Sequence, residues 1–63
     1  MNTLHPPEVV PAPARGWTVV RGGRDERGAF ECWIGRSFTD HRQAEVAAVA
    51  WEEREPSAPE EAP

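Results

Sequence analysis

A single cysteine, Cys32, is all that this 63-residue chain holds, and that scarcity constrains the fold more than any other feature. A domain this short buries too little apolar surface to offset the conformational entropy lost on folding without help. The usual help is a disulfide network, a structural metal or a partner chain. A lone cysteine forms no internal disulfide, and His5, Cys32 and His41 lack the spacing of a zinc site. We therefore expect no metal and no cofactor, with Cys32 acting as a small buried hydrophobe. Self-association into a homodimer, or docking on a larger partner, is the staple that remains.

The seven prolines divide the chain. Four lie in residues 1–14, as Pro6, Pro7, Pro11 and Pro13, and they favour an extended, polyproline-like path without ladder hydrogen bonds. A solvated tail is the simpler expectation for this segment. The alternative lays Leu4, Val9 and Val10 in a groove on the domain or its partner. Residues 56–63, with Pro56, Pro59, Pro63, Glu60 and Glu61, are too polar and proline-rich to fold and read as a disordered acidic tail. Between the tails, residues 15–55 form the domain. No apolar run approaches the roughly 20 residues that span a bilayer. The opening residues lack the basic and apolar regions of a signal peptide. These features lead us to expect a cytoplasmic protein with no membrane contact.

Within the domain, Trp17–Arg21 and Ala29–Ile34 are rich in β-branched and aromatic residues and are bounded by glycines, as antiparallel strands are. The connection from Gly22 to Gly28 suits a hairpin with a type I turn over Arg24–Arg27 and a positive φ at Gly28. Gly35 marks a bend, after which Arg36-Ser37-Phe38 is a candidate third strand. A helix follows from about Asp40 to Arg54. Thr39 or Asp40 caps it, Gln43 is placed to return a bond to an Asp40 cap, and Pro56 ends it with Glu55 already pushed out of helical geometry. The expected fold class is therefore α+β, a hairpin or short three-stranded antiparallel sheet packed on one carboxyl-terminal helix.

Ala44, Ala47, Ala48 and Trp51 recur at helical spacing and form the stripe expected to lie on the sheet, against Phe30, Cys32 and Ile34. Glu31 and Trp33 then point outward. Val46, Val49 and Ala50 widen the apolar arc beyond what one sheet contact needs. They are scattered surface residues, or are covered by the amino-terminal segment, or form the flank of a dimer or partner contact; we expect the last. Charge is segregated too. From Ala44 onward only Arg54 offsets Glu45, Glu52, Glu53, Glu55, Glu60 and Glu61. Glu52, Glu53 and Glu55 sit where the helix dipole disfavours negative charge, so as a cluster they are candidates, with Trp33, for contacting a basic partner surface.

No catalytic residues are expected. A Cys32–His41 pair would put a mid-strand thiol against a first-turn histidine with no supporting signature, and Asp40 beside His41 is better used as a cap. Gly22-Gly23 with Gly28 is no phosphate loop, because no lysine and hydroxyl residue follow. Two binding functions remain. Arg21, Arg24, Arg27 and Arg36 could line a β-ribbon beside Trp33 and contact nucleic acid. In outline, residues 15–52 resemble the small sheet-type DNA-binding modules of integrases and plant transcription factors; that resemblance implies an integrase-arm, excisionase or transcription-regulator-like role. The net charge of −4 opposes it, since phosphate neutralisation drives such binding. As a short, acidic, tailed domain with surplus apolar residues, the chain also resembles the accessory and inhibitor proteins of phages and mobile elements, including anti-CRISPR proteins. That likeness implies inhibition or regulation by binding a host protein or complex, and it is the reading that accommodates acidity and apolar surplus together.

Overall fold

The computed structural model describes residues 2–58. It is α+β: strands β1 (Thr3–Leu4), β2 (Glu8–Pro11), β3 (Trp17–Asp25) and β4 (Gly28–Trp33) form one antiparallel sheet, and helix α1 (His41–Arg54) packs against it. β3 is the axis. β1 and β2 lie end to end along one edge of it and β4 along the other. β3 is paired along both edges, and its consecutive β-branched residues Thr18, Val19 and Val20 are all buried, as suits a central strand.

The amino-terminal segment is therefore not a solvated tail. It is extended, as its prolines require, but it pairs with β3 from Thr3↔Arg24 to Pro11↔Trp17. The prolines fit because of where they fall. Leu4 pairs with Gly23 and Glu8 with Val20, so once His5 has bonded to Gly22, Pro6 and Pro7 stand together opposite Arg21 alone. This is a β-bulge of two residues against one. In an antiparallel ladder successive residues turn their backbone groups to alternate sides. The Gly22 carbonyl accepts from His5 N–H at 2.9 Å on one side, and the Val19 carbonyl accepts from Ile34 N–H at 3.0 Å on the other. Arg21 thus points its amide towards β4, and two residues without N–H groups forfeit no ladder bond there.

The hairpin forms as the sequence predicts, one residue later. Asp25 pairs with Gly28, the tip is Glu26-Arg27, and the Asp25 carboxylate accepts from Arg27 N–H at 2.8 Å. Gly28 has the expected positive φ of 114°. Arg36-Ser37-Phe38 does not become a strand. After the bend at Gly35 (φ 83°), Phe38 alone of the three pairs its backbone with β3, in a bridge to Trp17. Gly16 (φ 81°) is required there, because a Cβ on it would lie 2.3 Å from the Phe38 carbonyl oxygen.

Asp40 caps α1 in extended geometry and accepts from Arg42 N–H at 3.0 Å. The return bond from Gln43 does not form; its backbone N–H instead donates to the Asp40 carbonyl at 3.1 Å. Glu55 ends the helix at φ −134°, ψ 84°, as the following proline demands. Residues 56–58 then fold back: Leu4 and Ala58 exchange backbone bonds of 2.8 Å. The expected acidic tail otherwise lies outside the described residues.

Helix α1 rests on β3 and β2 and does not reach β4. Ala44 and Val19 are both fully buried, and the small alanine lets helix and strand approach closely. Phe30, Cys32 and Ile34 occupy the predicted face, but the helix stops short of β4, which carries the first two. Cys32 is exposed and not a core residue, while the Phe30 ring folds over Gly23, where a Cβ would lie 2.4 Å from its Cζ. An aromatic ring covering a cross-strand glycine supplies the packing that the glycine lacks.

Candidate functional site

Alternation along β3 assigns each residue to one of two faces. Trp17, Val19, Arg21 and Gly23 face the helix, whereas Thr18, Val20, Gly22 and Arg24 face away from it. The first consequence concerns Arg21, predicted as one of four exposed arginines. It is 2% exposed. Its Nε donates to the His5 carbonyl at 3.0 Å and its Nη1 to the Glu55 carbonyl at 2.9 Å. Its Nη2 lies 3.6 Å from Glu52 Oε1, and its guanidinium sits 5.2 Å from the centre of the Trp51 ring. Arg21 thus ties the bulge, the helix end and the last helical turn together, and it cannot serve as a phosphate contact on the surface. A cation at a helix carboxyl terminus also opposes the dipole and the crowded carboxylates there.

The acidic cluster is rearranged by the same contact. Glu52 faces inward: one carboxylate oxygen meets Arg21 and the other accepts from Ser57, through N–H at 2.6 Å and hydroxyl at 3.1 Å. Glu55 offers its carbonyl to Arg21 and its carboxylate to Trp51 Nε1 at 3.2 Å. Glu53 alone of the three stands on the outer face of the helix, beside Val49 and Ala50. The sequence therefore placed three partner-binding carboxylates together where the structure uses two of them internally. The missing signal was Arg21, whose odd position in β3 directs it beneath the helix end.

Among the described residues, no second layer covers the face of the sheet turned from the helix. Trp33 stands opposite Val20 in register and remains 52% exposed, while Val20 is 8% exposed. The loop at residues 12–15 and the bend at residues 35–37 rise on either side, enclosing a shallow groove of about 370 Å³ with Thr18, Trp33, Arg15 and Arg36 in its lining. The Thr18 hydroxyl donates to the Arg36 carbonyl at 2.7 Å, fixing the bend to the sheet. The Arg36 guanidinium lies 4.8 Å from the centre of the Phe38 ring. Arg24 projects from the same face of β3, and Arg27 sits at the hairpin tip; both are exposed. Sequence reasoning found Trp33, Arg24 and Arg36 but missed Arg15 and Thr18, which only the fold of the 12–16 loop brings alongside.

The outer face of α1 is the third surface. Val46 and Val49 are 63% and 60% exposed, as expected of the apolar surplus, and Ala50 adjoins them. Pro6 and Pro7 reach only its margin, beside Ala48 and Val49. Trp33, on the far side of the sheet, does not share this surface.

Of the residues weighed for catalysis, Cys32 is free and exposed on β4, and Asp40 and His41 make other contacts. Asp40 is the helix cap. His41 meets Trp17 edge to face with ring centres 4.6 Å apart, and its Nδ1 lies 3.6 Å from Glu45 Oε1. Among the described residues no three acidic, histidine or cysteine side chains are grouped to hold a metal ion, and no helix is long and apolar enough to cross a membrane. Comparison with known proteins finds no family model, curated protein or solved structure that matches this chain.

Proposed function

We propose that this protein is a non-catalytic binding module that occupies a host protein or complex, in the manner of small phage and mobile-element inhibitors, and that its contact surface is the sheet face around Trp33. The observation that carries this reading is a tryptophan left 52% exposed at the edge of a groove flanked by Arg15 and Arg36. Tryptophan and arginine are the side chains that most often dominate the energetics of protein interfaces, especially beside a concave pocket. The charge around them is mixed: Arg15, Arg24 and Arg36 share this side with Glu8 and Glu31, all exposed. A polyanion gains little from such a balance, whereas a protein surface offering an apolar side chain to the groove and carboxylates to its rim matches it.

One observation favours a second reading. Arg24 and Trp33 lie on the same face with the helix behind it, as a sheet that reads nucleic acid would require. Affinity capture from the encoding organism with wild type and Trp33→Ala separates the two. A nuclease-resistant protein partner retained by wild type and lost by Trp33→Ala is the expected result. Sub-micromolar binding to duplex DNA at physiological salt, abolished by Arg24→Ala with Arg36→Ala, would instead transfer the surface to nucleic acid.

A further inference from the structure

On the outer face of α1, Arg42, Val46, Val49 and Glu53 follow one another at intervals of four, three and four residues. That spacing draws a single line along a helix, on the side opposite the buried Ala44. The line has a property that neither valine shows alone. Reversed end to end it reads Glu-Val-Val-Arg, so a second copy laid antiparallel about a two-fold axis midway between Val46 and Val49 sets Val46 against Val49 twice. The same axis sets Arg42 against Glu53 at both ends. The flanking residues obey it as well, since Glu45 falls opposite Ala50 and meets no like charge. All the residues that line the groove on this face, Arg42, Glu45, Val46, Val49, Ala50 and Glu53, are thereby paired among themselves.

We infer that the outer face of α1 is a homodimer interface in which two helices pack antiparallel, with the four valines at its centre and two Arg42–Glu53 pairs closing its ends. A two-fold interface must be self-complementary, because the same patch faces itself. The antiparallel pairing meets that condition, whereas a parallel one would set Arg42 against Arg42 and Glu53 against Glu53. The charges therefore select orientation and register, as flanking charges do in coiled coils. The partner this face fits is a second copy of the chain, and the inference is independent of the Trp33 surface on the other side of the molecule.

The test is sedimentation velocity of the full chain from low micromolar to millimolar concentration in low salt, with circular dichroism verifying the fold of each variant. Wild type should move from monomer to dimer over this range, and high salt should weaken the dimer as the end pairs are screened. Arg42→Glu alone and Glu53→Arg alone each place two like-charge pairs at the ends and should weaken association about tenfold or more. The two single variants mixed together restore both pairs and should associate as wild type does, as should the double variant. Trp33→Ala should leave association unchanged. Wild type that stays monomeric at millimolar concentration would overturn the inference, and so would single variants that dimerise like wild type or fail to recover on mixing.

Discussion

Arg21 and Arg24 stand three residues apart in one strand, carry the same side chain and meet opposite fates. Arg21 is sealed under the helix end, hydrogen-bonded to the His5 and Glu55 carbonyls and with Nη2 3.6 Å from the Glu52 carboxylate, while Arg24 is exposed on the other face. Parity alone separates them, since a strand sends alternate residues to opposite sides. A very small sheet thus divides labour between its two faces. The helix-covered face, whose fully buried hydrophobic residues among those described are Val19 and Ala44, enlists a cation to join the elements that apolar contact is too scant to hold. The other face, freed from that task, presents tryptophan and arginine to the surroundings.

Loss of the buried arginine should cost the fold most. Arg21→Ala removes the guanidinium and leaves the Glu52 carboxylate, the His5 carbonyl and the Glu55 carbonyl without it. Removing one partner of a buried ion pair costs about 3 kcal/mol or more; the low end applies here, because the Glu52 side chain keeps 36% exposure. That is much of the stability of a domain this size, so the urea midpoint of Arg21→Ala should fall far below that of wild type. Arg24→Ala should stay within about 0.5 kcal/mol of wild type. Equal losses for the two would show that parity does not divide the sheet as described.

The neighbouring glycines sharpen the contrast at smaller scale. A Cβ on Gly23, on the covered face, would lie 2.5 Å from the Thr3 carbonyl oxygen as well as against the Phe30 ring. Gly23→Ala must therefore displace β1 or the ring, and we expect a loss of about 1–3 kcal/mol. A Cβ on Gly22, on the other face, finds its nearest neighbours at 3.5 and 3.6 Å. Gly22→Ala should thus be neutral or gain up to about 1 kcal/mol by restricting the unfolded chain. Thermal melts of the pair decide the matter, and a costlier Gly22→Ala would reverse it.

The mildest change loosens the start of α1. Asp40→Ala removes the carboxylate that accepts from Arg42 N–H and should cost about 1 kcal/mol. Amide exchange should speed first in the opening turn of α1, with the β3–β4 ladder holding longer. Uniform acceleration throughout would mean that helix and sheet open as one unit.

Local chemistry made most of this fold legible. The hairpin, the bend at Gly35, the Asp40 cap and the stop before Pro56 each follow from one or two residues whose backbone preferences are strong. What escaped were long-range choices. Prolines at residues 6 and 7 argue against a strand until one sees that they fall opposite Arg21, whose backbone groups point the other way. Cys32 has the alternation of a core residue but lies beyond the helix, because a 14-residue helix laid over β2 and β3 leaves β4 uncovered. The carboxylates at the helix end looked like a surface cluster because nothing local to them announces a cation brought from more than thirty positions upstream. The arginine face was legible in Arg24, Arg36 and Trp33, and obscured by the inclusion of Arg21.

The bridge between Leu4 and Ala58 has a consequence for how the chain could be rewired. Its two exchanged bonds bring the beginning and end of the described chain side by side, so that the polypeptide traces a ring closed by hydrogen bonds. A ring has no obligatory starting point. Joining residues 2 and 58 with a short linker and opening the chain instead between Glu26 and Arg27, at the exposed hairpin tip, would preserve every strand pairing among residues 2–58 while exchanging the order of synthesis: β4 and the helix would emerge first, and the central strand last. Such circular permutants succeed where new ends fall at loop tips and old ends lie close together.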